Sequence, residues 1–107
     1  MLAFETRDLI LDQAAGDSRY LEFLRVPALN MGLYVLPTGS IDQQQPHEED
    51  EVYYVVEGHA TITVDGQDRP VEPGSIVYVA AHVEHRFSNI TQDLRVLVCF
   101  AATPTED

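Results

Sequence analysis

The sequence predicts an all-β fold, a small sandwich or barrel, and three observations predict it. From Tyr20 onward the chain is written in β-branched and aromatic runs, residues that suit a pleated, half-buried surface. Those runs are cut by Glu57-Gly58, Asp65-Gly66 and Pro73-Gly74, whose glycines recur every eight residues, the spacing of a meander of short strands. A helix is read at one place only, Thr6–Gly16.

That helix takes Thr6 as its N-cap and Gly16 as its terminator. It is too short to hold itself and is expected to pack on the sheet. Strands are expected over Tyr20–Val26, Leu29–Leu36, Val52–Glu57, Ala60–Val64, Ser75–Val79, His85–Ile90 and Leu94–Ala101. Asp65-Gly66 lies between alternating residues and favours a two-residue hairpin. Ala80–Glu84 reads as a loop. Leu94–Ala101 is apolar on both faces apart from Arg95, so both are expected to be covered, by core or by a second subunit. Cys99, the one cysteine, cannot form an internal disulfide and reads as a small core residue.

The 107 residues allow one domain, 1–107. Hydrophobic residues are 45% and charged residues 22%, which excludes a disordered or low-complexity chain. Six Lys and Arg against eighteen Asp and Glu give a net charge of −12 without a basic stripe. Nucleic acid and anionic membrane surfaces are therefore not expected partners, because both are bound through clustered cations. No apolar run approaches the ~20 residues that cross a bilayer. The opening segment carries an acid where a secretion signal needs a basic region, so a cytoplasmic location is expected.

Chemistry concentrates in Asp42–Glu51, where a glutamine run, His47 and four consecutive acids precede an apolar strand. Four adjacent carboxylates repel one another. Such a run is either a solvated loop that blocks edge-to-edge aggregation or a site where oxygen and imidazole donors converge on a cation. His85 opens a later strand that a barrel could bring opposite His47. Two residues beyond Glu51, Tyr53 shares its face by alternation, with a core role or a hydroxyl reaching the pocket. Phe87 and Asn89 share the face of His85 by the same parity, Phe87 lining the cavity and Asn89 bonding backbone. His59 follows a glycine in a turn and is expected in solvent; His82 is either a surface histidine or an acid or base at the pocket mouth.

The spacing around the two histidines resembles the paired motifs of the cupin superfamily. Gly39, Gln45, His47, Glu51 and Gly58 follow the first motif, and Gly74, His85 and Asn89 follow the second. The resemblance covers about Leu29 to Phe100 and leaves residues 1–19 as an N-terminal extension. It implies a single cupin β-barrel, two antiparallel sheets rolled together like a jelly roll. It also implies a metal held by His47, Glu51 and His85, with Gln45 standing where the family has another histidine. Ala80 and His82 replace the family's proline and glycine in the second motif.

Two imidazoles and a carboxylate are the donor set of non-haem iron oxygenases. The resemblance thus implies one divalent transition metal, Fe, Mn, Ni or Zn, and a small-molecule ligand. It implies a dioxygenase- or isomerase-like enzyme acting on an anionic, enediol or diketone-type molecule, with Tyr53 and His82 as catalytic candidates. A non-catalytic sensing module using the same pocket is the alternative. Single-domain cupins generally pair, so a homodimer is expected.

Overall fold

The computed structural model describes residues 1–43 and 46–102. Helix α1 spans Thr6–Ala15, and strands β1 to β6 span Tyr20–Val26, Leu29–Leu36, Glu51–Val64, Gln67–Val71, Ile76–Val79 and His85–Ala101. The strands hydrogen-bond into one antiparallel sheet in the order β1-β2-β6-β3-β4, with β5 also paired to β3. The two expected sheets are the two halves of this one. β5 lies along the start of β3, at Glu51–Tyr54, whereas β4 lies along its end, at Ala60–Val64. β2 lies along the second half of β6.

Several elements depart from the sequence-based expectation, each for an identifiable reason. The cap of α1 is Glu5, and Thr6 is the first helical residue; the amides of Asp8 and Leu9 bond the Glu5 carbonyl. Glu57-Gly58 is not a turn, and the two expected strands around it are one, β3. Likewise β6 runs unbroken through Thr91–Asp93. Strand β4, polar and carrying Pro70, has no hydrophobic signature; it pairs on one side only, where proline is tolerated. The Asp65-Gly66 hairpin is as expected, with Val64 opposite Gln67.

The long strands change face midway. In β3 the buried side chains are Glu51, Tyr53 and Val55, then Ala60 and Ile62, so alternation slips by one between them. Register shifts between Val55 and Thr61 mark the place. A bulge adds one residue to one strand, bends it and re-aims the side chains beyond it. On the facing strand Asn89 takes φ +48 and is exposed, so it does not share the buried face of His85 and Phe87.

The main core lies inside the roll and includes Leu36, Tyr53, Val55, Ile62, Phe87, Leu94, Val96 and Val98. A second cluster lies outside, where Leu9 and Ile10 of α1 cover Leu33 and Val35 together with Leu21, Phe23 and Leu97. The helix therefore packs on the sheet as expected, and β6 is apolar on both faces because both are partly covered. Cys99 is half-buried on the outer face, opposite Val52 and Met31, and not in the core. Next to it Val52, Tyr54, Ile76 and Tyr78 are exposed.

Candidate metal centre

Glu51 and His85 each open a long strand. Glu51 is paired with Phe100, and His85 with Val64, so they stand at opposite ends of the β3–β6 ribbon. On a flat ribbon thirteen residues would separate them by roughly 40 Å. The bent sheet brings His85 Nε2 to 2.6 Å from Glu51 Oε1. His47 enters from the loop before β3, its ring centre 5.5 Å from that of His85 and 5.1 Å from Phe100. One donor atom from each of His47, Glu51 and His85 lies within 4.8 Å of the others.

The hydrogen bonds around these donors orient them. Nδ1 of His85 lies 2.9 Å from the carbonyl of Val83, a contact only an N–H can make, so Nε2 is the nitrogen turned to the centre and available to an ion once the ring is neutral. Tyr53 donates to Glu51 Oε1 at 3.2 Å. Among the described residues His47 Nε2 and Glu51 Oε2 are buried without a hydrogen-bond partner, and His85 Nε2 is buried with only the Glu51 carboxylate against it, at 2.6 Å. Buried polar groups rarely go unsatisfied. Two imidazoles and a carboxylate that converge within 4.8 Å and leave buried donors unsatisfied fit a divalent transition ion, and the residues present match that group.

Burial opposes charge on His85, but the Glu51 carboxylate and the Val83 carbonyl outweigh it, and the imidazole is raised above its ordinary 6.5. In the metal-free chain, protonated His85 contributes stability that is full below the ordinary value and lost as pH rises through the raised one. Metal requires the neutral ring, so the sign reverses for binding. Affinity is expected to be full above the raised value and to fall by up to about tenfold per pH unit below it. Calorimetric Ni(II) titration across the pH range checks this; a flat profile would remove His85 from the ligands.

Of the remaining expected residues, Tyr53 is buried, 5.0 Å from the Phe87 ring, and its hydroxyl serves Glu51. His82 is exposed and takes φ +67, at the position where the family pattern has glycine. Only its backbone reaches toward the centre, the amide donating to the His47 carbonyl at 2.7 Å. It is not among the residues whose donor atoms converge. His59 is exposed as expected, but it lies in β3, not a turn, and contacts Gln92 at 2.8 Å. The Gln45 ligand falls outside the described residues.

Three contributors are absent from the sequence-based set. Asp42 is buried; its carboxylate accepts from Tyr34 Oη at 3.2 Å and from the Phe87 amide at 2.8 Å, tying the loop that carries His47 to β2 and β6. Tyr20 and Tyr34, from β1 and β2, line with His47 and Phe100 a cavity of ≈ 420 Å³. Alternation puts Tyr20 on the face of Glu22 and Tyr34 on that of Asn30 and Gly32, the more polar face of each strand, so the sequence offers no signal that this face turns inward.

Known proteins share this architecture. The family model Cupin_2, a cupin domain, matches residues 32–100. An uncharacterized protein of Streptomyces coelicolor is 50% identical over 101 residues, covering 94% of this chain and 96% of that one. Among solved structures, an RmlC-like cupin family protein with a double-stranded β-helix fold from Methanocaldococcus jannaschii aligns with a TM-score of 0.71. It shares 22% identity over 82% of this chain and 85% of the other. The DMSP lyase DddQ from Ruegeria pomeroyi aligns at 0.71 with 17% identity, over 83% of this chain and 50% of that one. At these identities the two structures establish the fold.

Proposed function

Because the chain belongs to the cupin family, its cupin domain spanning residues 32–100, we propose that it is a metal-dependent enzyme acting on a small anionic molecule of enediol or diketone type, in the manner of a dioxygenase or isomerase. The observation that carries this reading is the convergence of one donor atom each from His47, Glu51 and His85 within 4.8 Å of one another, where His47 Nε2 and Glu51 Oε2 are buried without a partner. A lyase shares the barrel architecture, so the fold admits catalysis. An ion of Fe, Mn, Ni or Zn bound there would supply Lewis acidity and, with a redox metal, electron transfer.

The chain's own residues do the rest. His47, Glu51 and His85 would hold the ion, the Val83 carbonyl fixes Nδ1 of His85 as an N–H, and Tyr53 donates to Glu51 Oε1, the oxygen that lies against His85, and so orients the carboxylate at the centre. Phe100 and Val98 give the cavity an apolar wall that excludes water from one side. With one carboxylate among these residues, a bound dication would leave the centre with a charge of about +1 that would favour an anionic ligand. Gln45 completes the ligand set in this proposal. The protein also acts as a homodimer, a reading supported by the exposed Val52, Tyr54, Ile76 and Tyr78, which pair across β3 and β5 into one apolar face.

One preparation tests these points. Protein expressed without a His-tag in metal-supplemented medium should carry about one divalent ion per chain by elemental analysis and turn over candidate diols, diketones or catechols. Light scattering should give twice the 12.0 kDa chain mass. Less than about a tenth of an equivalent, with no metal-induced rise in melting temperature, would sink the metal reading. A full equivalent with thermal shifts but no turnover identifies a binding module instead.

A further inference from the structure

The inner face of the sheet is built in rows across the strands. One row runs Tyr20, Tyr34, Val96; the next runs Glu22, Gly32, Val98, Tyr53; the third runs Arg25, Asn30, Phe100, Glu51. Gly32 leaves a gap in the middle row, and the Tyr20 ring fills it. A Cβ at Gly32 would lie 2.2 Å from both Cζ and Oη of Tyr20. The phenol is thus laid over the sheet from its own row toward the rows that carry Tyr53 and Glu51.

Tyr20 Oη is buried there and has no hydrogen-bond partner among the described residues. The ring packs edge-on against Tyr34, with centres 6.3 Å apart, and lines the same cavity as His47. Burial, then the negative charges of Glu22 and Glu51, push its hydroxyl up to about 12. It therefore remains a donor across the neutral range, and a buried donor needs an acceptor.

We propose that Tyr20 is a positioning residue, donating its hydroxyl hydrogen to an oxygen of a chelating anion held at the metal centre and so selecting for oxyanion ligands. The inference rests on the metal-centre reading. Arg25 also lines the cavity, yet it is paired with Glu22 at 2.8 Å, and Glu49 adds a further carboxylate. The protein side chains alone therefore do not attract an anion. Attraction comes from the ion, and Tyr20 supplies the geometric choice. β1, which carries Tyr20, lies outside the segment matched by the family model, and Gly32 is the first residue inside it. Ligand selection is in this way assigned to an element outside the matched part of the domain.

The test uses the full chain loaded with Ni(II) and titrated calorimetrically with oxalate as the probe. Wild type should bind oxalate when loaded and not when metal-free. Tyr20→Phe keeps the ring and removes the donor; oxalate affinity should fall about tenfold, the scale of a hydrogen bond to a charged acceptor, while Ni(II) affinity and melting temperature stay unchanged. Gly32→Ala, which displaces the ring, should reproduce the loss; if it does not fold, Tyr20→Phe decides alone. Equal oxalate affinity in Tyr20→Phe and wild type, both holding Ni(II), overturns the role of Tyr20. Oxalate binding equally to metal-free protein, or not at all to loaded wild type, overturns the metal-held anion. Failure of wild type to hold Ni(II) overturns the metal-centre reading and this inference with it.

Discussion

Replacing Glu51 by Gln is expected to weaken divalent-metal binding by on the order of tenfold or more, while Glu48→Gln, Glu49→Gln and Asp50→Asn leave it nearly unchanged. The four acids are consecutive in sequence, but the fold treats them differently. Glu51 is 1% exposed, whereas Glu48 and Asp50 are exposed and Glu49 is half-buried at the cavity. Glu51 is the only carboxylate in the converging set, so its loss removes the sole charged donor. Gln keeps the shape and the hydrogen bond from Tyr53, which isolates the charge. Asp50 has a different task, its carboxylate accepting from the Ala81 amide at 2.8 Å, so its change should appear in melting temperature before affinity. Calorimetric titration of Ni(II) and Zn(II) into the four variants decides. Equal losses at all four positions would describe a diffuse, cation-attracting loop in place of a ligand.

Replacing Gly58 by Ala is expected to destabilise the fold by roughly 3 kcal/mol, the sum of a strained backbone and a clash that cannot move aside. Gly58 takes φ +96, and a Cβ there would meet the carbonyl oxygen of Asp93 at 2.3 Å and Cα of Leu94 at 2.7 Å. Both obstacles are backbone of β6, so no rotamer change relieves them. The position lies in the region where β3 slips its register against β6, and losing that approach would open the bend that brings Glu51 to His85. Thermal unfolding should show a fall on the order of 15 °C. An unchanged melting temperature would mean that the bulge relaxes without cost and that close approach is not what selects glycine here.

Gly58 also illustrates how much of the fold the sequence carries. Glu-Gly ends an apolar run and so reads as a turn, and turns and bulges share the same chemistry, a residue at positive φ that interrupts alternation. What separates them is whether a partner strand continues alongside, a tertiary fact. Strands β1 and β2 are legible to the residue because their apolar runs end at Pro27-Ala28 and Pro37. β4 is not, because an edge strand needs no apolar alternation and Gln67–Val71 has none. For the centre, spacing around His47, Glu51 and His85 is enough to single out residues that the fold does bring together. Tyr20 and Asp42 escape because their roles depend on neighbours across strands: a gap at Gly32 for one, the Phe87 amide for the other. At His82 the structure adds what spacing does not carry, a backbone at φ +67, the conformation that suits the glycine of the family pattern.

The distance between Glu51 and His85 along the ribbon, set against their 2.6 Å approach in space, has a thermodynamic meaning. No segment of the chain contains this centre. Short peptides carrying either motif hold part of the donor set, and a half-formed sheet holds the donors apart. An ion bound by all three residues would therefore favour the fully rolled chain, adding to the free energy of closure the excess of its affinity for that state over the partial donor sets of the open chain. Such an ion would act as a clasp at the seam, and its retention would report that the whole barrel, not a local loop, is shut.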